Sequence, residues 1–114
     1  MSACYQLSNN SDGQFHFVLK AANAETILTS ELYTAKNSAQ NGIISVQINC
    51  SDDGHYERMD SKNDKFYFNL KAPNHQIIGT SQMYATAQSR DKGIDSVKMN
   101  GVCNIIKDNT WAYR

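Results

Sequence analysis

Apolar and polar positions alternate with period two from Phe15 to Lys20: Phe15, Phe17 and Leu19 fall on one face, His16, Val18 and Lys20 on the other. The same alternation runs from Phe66 to Lys71, where Phe66, Phe68 and Leu70 oppose Tyr67, Asn69 and Lys71. One aromatic face on a period of two predicts half-buried antiparallel strands whose phenylalanines enter a core. Short strands are predicted ahead of them, at Tyr5 to Ser8 and Tyr56 to Asp60, each followed by a polar turn. Hairpins through Asn23 and Asn74 lead to third strands at Thr26 to Ser30 and Ile77 to Ser81, because Asn tolerates the left-handed backbone that such turns need. Beyond Tyr33 and Tyr84 the period changes. Ala39, Gly42, Ile43 and Val46 recur at steps of three and four, as do Arg90, Gly93, Ile94 and Val97, which predicts amphipathic helices of about four turns. Their starts lie between Thr34 and Ser38 and between Thr86 and Ser89, where hydroxyl and amide side chains can cap free N–H groups. A last strand is expected near Val102 to Lys107.

These two series are one unit written twice. Phe15 to Asn49 aligns without a gap on Phe66 to Asn100 at an offset of 51, with 16 of 35 positions identical. Shared amphipathic pattern alone does not produce such identity, so the chain is an internal duplication. Half of a 114-residue chain is marginal as an independent domain, which favours a shared core. The expectation is a single domain of two repeats, about 1–52 and 53–110, with a short tail at 111–114. Three strands and one helix per repeat give an α+β fold in which one antiparallel sheet carries both helices on one face. The Asp52 to Asp60 stretch is placed to serve both copies.

Eleven basic residues balance eleven acidic ones. Such a chain has no long-range field to gather nucleic acid or anionic lipid, although a local patch is compatible with it. The N-terminus lacks a basic segment followed by an apolar run, and no apolar stretch reaches membrane-spanning length, so a cytoplasmic protein without membrane association is expected. Cys4, Cys50 and Cys103 are odd in number, lack CxxC spacing and are not equivalent between repeats. They read as reduced thiols, neither a disulfide frame nor a zinc site.

The segments FVLKAANAETILTSELYTAKNSAQNGIISV and FYFNLKAPNHQIIGTSQMYATAQSRDKGIDSVK resemble the two copies in the YegP-like family of small bacterial proteins. The likeness covers Tyr5 to Thr110 and rests on the F-x-F-x-L-K-A-x-N strand and hairpin, the Tyr after strand three and the G-I-x-S-V helix, each present twice in order. It implies tandem β3-α-β units that build one continuous sheet by exchanging C-terminal strands, with single-copy relatives pairing as dimers. This chain is accordingly expected to be a monomer containing an intramolecular pseudo-dimer. The family carries no activity, cofactor or catalytic residue to transfer. Ala24 and His75 depart from the glycine common at the hairpin, and Trp111 to Arg114 lies outside the resemblance.

The duplicated polar residues are Lys20 and Lys71, Asn23 and Asn74, Ser30 and Ser81, and Tyr33 and Tyr84. A catalytic reading needs convergence and a perturbed pKa, whereas each residue has a structural role in a turn, corner or strand end. Gly42 and Gly93, mid-helix, cost about 1 kcal/mol each relative to Ala, and close approach of the helix backbone to the sheet or to the other helix is expected to offset that. His16, His55 and His75 lack metal-ligand spacing. Asp52-Asp53-Gly54 lacks the later ligands of a calcium loop and reads as a solvated turn. No catalytic, cofactor-binding or metal-binding residue is expected. The remaining candidate is the sheet face opposite the phenylalanines, bearing His16, Val18, Lys20, Tyr67, Asn69 and Lys71. The reading that fits best is a non-enzymatic module that binds a protein or a small ligand. The alternatives are a nucleic-acid-binding sheet platform, in which bases stack on rings, and a small enzyme with paired sites.

Overall fold

In the computed structural model, which describes residues 2–110, the segments of period two are strands and those of three- and four-residue period are helices. The chain runs β1 (Cys4–Asn9), β2 (Phe15–Lys20), β3 (Thr26–Ser30), α1 (Lys36–Asn49), a 3-10 turn at Asp53–His55, β4 (Tyr56–Asp60), β5 (Phe66–Lys71), β6 (Ile77–Thr80), α2 (Ala87–Asn100) and β7 (Ile106–Asp108). The tail expected at 111–114 lies outside the described residues.

The strands form one sheet in the order β4-β5-β6-β3-β2-β1-β7. β3 and β6 meet at its centre, where Thr29 pairs with Thr80. These are equivalent positions at the offset of 51, so a pseudo-twofold axis passes between them. The sheet is mixed and not wholly antiparallel, because β7 runs parallel to β1, with Tyr5 opposite Ile106 and Gln6 opposite Lys107. It also begins later than the predicted Val102. The reason is the path of α2, which lies across β5, β3 and β2. The residue that caps its C-terminus, Gly101, sits beside Tyr5, near the start of β1, and from there the chain follows β1 in the same direction. A parallel pair requires a crossover of this kind. The C-terminal strand of the second copy thus completes the sheet of the first. The first copy's equivalent stretch continues as β4, which pairs with β5.

Both helices pack on the phenylalanine face. Tyr5, Phe17, Leu19, Phe68 and Leu70 from the sheet are buried with Ile43, Val46, Ile94 and Val97 from the helices in one continuous cluster. The cluster draws on both repeats. The helix faces read from periodicity are the buried ones: Ala39, Gly42, Ile43 and Val46 in α1, and Arg90, Gly93, Ile94 and Val97 in α2. Capping follows expectation in α2 alone. The Thr86 side chain accepts from the Ser89 N–H, whereas the N-cap of α1 is Ala35, whose methyl group cannot accept one.

The substituted hairpins keep the turn that glycine would favour. Ala24 and His75 adopt φ of 70° and 71°. The Ala24 N–H bonds the Ala21 carbonyl, and Asn23 Oδ1 accepts from the Glu25 N–H. This is a type I turn closed by a left-handed residue, the usual three-residue hairpin loop.

Candidate functional site

The face of the sheet away from the helices collects the side chains singled out above. Registers place Glu57, Asn69, Thr80, Thr29, Val18, Gln6 and Lys107 in one row across all seven strands. His16 lies opposite Ser8, Tyr67 opposite Met59, and Lys20 opposite Cys4. The predicted residues do not converge. His16, Val18 and Lys20 line β2 and Tyr67, Asn69 and Lys71 line β5, and with β3 and β6 between them the two strips stand about 14 Å apart. Threonines fill the gap. A shallow depression of about 480 Å³ at the repeat seam is bordered by Glu25, Thr26, Thr29, Glu31, Thr80 and Gln82.

The strips differ in how far they satisfy themselves. On the second repeat the Thr80 hydroxyl donates to Asn69 Oδ1 at 2.8 Å, and Asn69 Nδ2 donates to Glu57 at 3.2 Å. Lys71 Nζ donates to the other Glu57 oxygen at 3.0 Å. Hydrogen bonds from Lys71 and then Asn69 hold the Glu57 carboxyl below its ordinary pKa. The network buries Asn69, predicted to be open, to 6% exposure. At the equivalent positions of the first repeat stand Thr29, Val18, Gln6 and Lys20. Val18 cannot relay a hydrogen bond and Gln6 carries no charge, so Lys20 forms no ion pair among the described residues. His16 Nδ1 is buried and has no hydrogen-bond partner there.

The duplicated Ser and Tyr lie on the other side of the sheet. Ser30 Oγ accepts from the Phe17 N–H at 2.9 Å and donates to the Glu31 carbonyl, and Ser81 does the same for Phe68 and Gln82. These hydroxyls complete the sheet where β3 and β6 part from their neighbours. Tyr33 and Tyr84 pair through their backbones with Phe15 and Phe66, and their hydroxyls rest over Gly42 and Gly93. Burial raises the pKa of both phenols. Burial likewise raises the thiols of Cys50 and Cys103, and all three cysteines are free. Among the described residues no group of three or more His, Cys, Asp or Glu is placed to hold a metal ion. A groove of about 710 Å³ on the helix side, between Tyr33, Ser38 and Asn41 of one repeat and Asn74, His75 and Ile77 of the other, is broad and open.

Asp52, Asp53 and Gly54 form the capped 3-10 turn, where Asp52 Oδ1 accepts from the Gly54 N–H. Asp53 faces Lys98 at 2.8 Å and Arg58 at 3.2 Å, which fasten α2 to the β4 edge. Sequence reasoning missed Gln6, Glu57 and Lys107 as members of the open face. The first two follow from strand alternation, and they are equivalent at the offset of 51. Lys107 depends on the placement of β7 and has no local signal. No helix among the described residues is long and apolar enough to cross a membrane.

The family profile of a domain of unknown function, DUF1508, matches the chain twice, at residues 10–57 and 61–108. A UPF0339 protein of Acinetobacter baylyi is 66% identical over 110 residues, spanning 96% of this chain and 99% of that protein. The UPF0339 protein YegP of Escherichia coli K12 is 63% identical over 110 residues, 96% of this chain and 100% of YegP. The solution NMR structure of Escherichia coli YegP, a protein of unknown function, superposes with a TM-score of 0.93 at 61% identity, covering 99% of this chain and 97% of that one. A UPF0339 protein of Shewanella oneidensis, also solved by NMR, gives a TM-score of 0.92 at 58% identity, with 100% and 97% covered. The chain belongs to this family of tandem DUF1508 proteins.

Proposed function

We propose that this tandem DUF1508 protein is a non-enzymatic, cytoplasmic binding module whose contact surface is the uncovered sheet face. One observation carries the reading: a seven-stranded sheet places both helices on one side, leaving the other side to Val18, Tyr67 and Met59 interleaved with Lys, His, Gln and Thr. Water covers one face of many antiparallel sheets, but rings and aliphatic chains among hydrogen-bonding groups suit a protein partner. The absence of convergence among Lys, Ser and Tyr supports a binding role over chemistry, since Lys20 and Lys71 lie across the sheet from Ser30, Ser81, Tyr33 and Tyr84.

A photo-crosslinking side chain at Val18, at Tyr67, or at Gln40 on the exposed side of α1 tests this in living cells. The expected result is a discrete adduct from Val18 or Tyr67 and none from Gln40. Adducts from Gln40 alone, or none from the sheet face, would overturn it. An adduct removed by nuclease would turn the reading to a nucleic-acid platform.

A further inference from the structure

We infer that the first repeat's half of the open face, around Lys20 and Lys107, is the part that recognises a partner, and that the partner presents an acidic, extended peptide segment. The inference rests on the open face being the contact surface, and the asymmetry between repeats carries it. Equivalent positions on the second repeat neutralise Lys71 with Glu57 and tie in Asn69 and Thr80. On the first repeat Gln6 replaces the carboxylate and Val18 the relay; no acidic side chain projects from this face of β1, β2, β3 or β7, and the acids nearest to it, Glu25 and Glu31, border the seam beside β3 without an ion pair to Lys20. Lys107, exposed and opposite Gln6, adds a second cation without an ion pair among the described residues. His16 Nδ1, buried without a partner on the same strip, is a further polar group awaiting a complement.

Lys20 and Lys107 flank Val18 and Gln6 two strands apart, about 10 Å across the sheet. That span is too wide for one carboxylate or phosphate, and the depression on this face lies at the seam, bordered by Glu25 and Glu31 and by neither lysine, which does not suit a small anion. The span fits two carboxylates of one extended segment with an apolar residue between them against Val18. Complementary charge of this kind selects a partner and sets its register. Nucleic acid is the poorer fit, because His16 is the single ring on this strip whereas base stacking uses successive aromatic platforms.

The test titrates the isotope-labelled full chain with a peptide of repeating Glu-Ser-Val-Ser, which when extended sets Glu and Val in turn on one face, and separately with a single-stranded oligothymidylate. The expected result is amide shifts at Gln6, His16, Val18 and Lys107 with the peptide, and affinity reduced about tenfold or more by Lys20→Glu with Lys107→Glu. Lys62→Glu with Lys65→Glu, in an exposed turn of the second repeat, changes net charge equally and should leave affinity within about twofold. Circular-dichroism melts confirm that both double variants fold. Absence of peptide binding, equal loss in the two variants, or tighter oligothymidylate binding on the same strip would overturn the inference. Shifts confined to Tyr67 and Lys71 would refute it yet leave the open-face reading standing, and shifts confined to the helices would refute both.

Discussion

The hydroxyl of Tyr5 donates to the carbonyl of Gly101 at 2.6 Å, joining the first strand of one repeat to the end of the other repeat's helix. Its equivalent returns the bond, since Tyr56 donates to the Cys50 carbonyl at 2.7 Å. Both phenols are raised well above the ordinary range by burial. Removing either hydroxyl leaves a helix-terminal carbonyl without its donor in the core. Tyr5→Phe and Tyr56→Phe should each lose about 1 to 3 kcal/mol in urea denaturation. Variants with the wild-type midpoint would show that the bonds contribute nothing net.

The pseudo-twofold axis admits one side chain where two would meet. A Cβ at Gly101 would lie 2.8 Å from Cys50 Sγ, and one at Gly79 would lie 2.9 Å from Cγ of Leu28. In each pair the residues are equivalent, and one copy has given up its side chain. Gly79→Leu should overpack the seam by about 1 to 3 kcal/mol, and Leu28→Ala in the same chain should recover part of that loss. Additive losses in the double variant would contradict a shared site.

The helix glycines face tyrosine. A Cβ on Gly42 would stand 2.6 Å from the Tyr33 hydroxyl oxygen and 2.9 Å from Phe17 Cε2, and at Gly93 it would run into the Tyr84 hydroxyl and ring. The expectation was close approach to the sheet or to the other helix; the neighbour is instead the corner tyrosine of the same repeat, with Phe17 of the sheet beside it at Gly42. Gly42→Leu and Gly93→Leu should each cost about 1 to 3 kcal/mol. Calorimetry showing unchanged melting would mean that the tyrosines swing clear.

α1 lacks the cap that α2 has. Ala35 corresponds to Thr86, and Ser38 to Ser89. Ala35→Thr should therefore supply a side-chain acceptor to the Ser38 N–H, which now bonds the Ala35 carbonyl at 3.1 Å, and stabilise by about 1 kcal/mol. Thr86→Ala should lose a similar amount, and chemical denaturation of the pair measures both.

Acid should loosen the β4 edge. Hydrogen bonds from Lys98 and then Arg58 lower Asp53 from the ordinary 3.8 to about 2. A depressed carboxyl contributes stability that is complete above its unfolded pKa and is lost as pH falls through the folded one. Melting temperature should accordingly decline between about pH 4 and pH 2, and Asp53→Asn, lower at pH 5, should decline less. Parallel curves would show that Asp53 has no part in the acid response.

Strand and helix order, the buried phenylalanines and the buried helix faces were legible in the chain. Each depends on a repeat of two or of three to four residues that a local segment displays by itself. The duplication was legible too, because identity at a constant offset needs no folding to be seen. Tertiary structure decided which elements meet: β3 against β6 through Thr29 and Thr80, β7 laid parallel on β1, and Tyr5 reaching Gly101. It also decided what the open face became. Lys20 and Lys71 read alike in sequence, yet Lys71 finds Glu57 on the neighbouring strand while Lys20 meets Cys4 directly and Gln6 beside it. Pairing across the sheet joins residues far apart in the chain, so the charge of a strip depends on register and strand order, which periodicity along one strand does not contain.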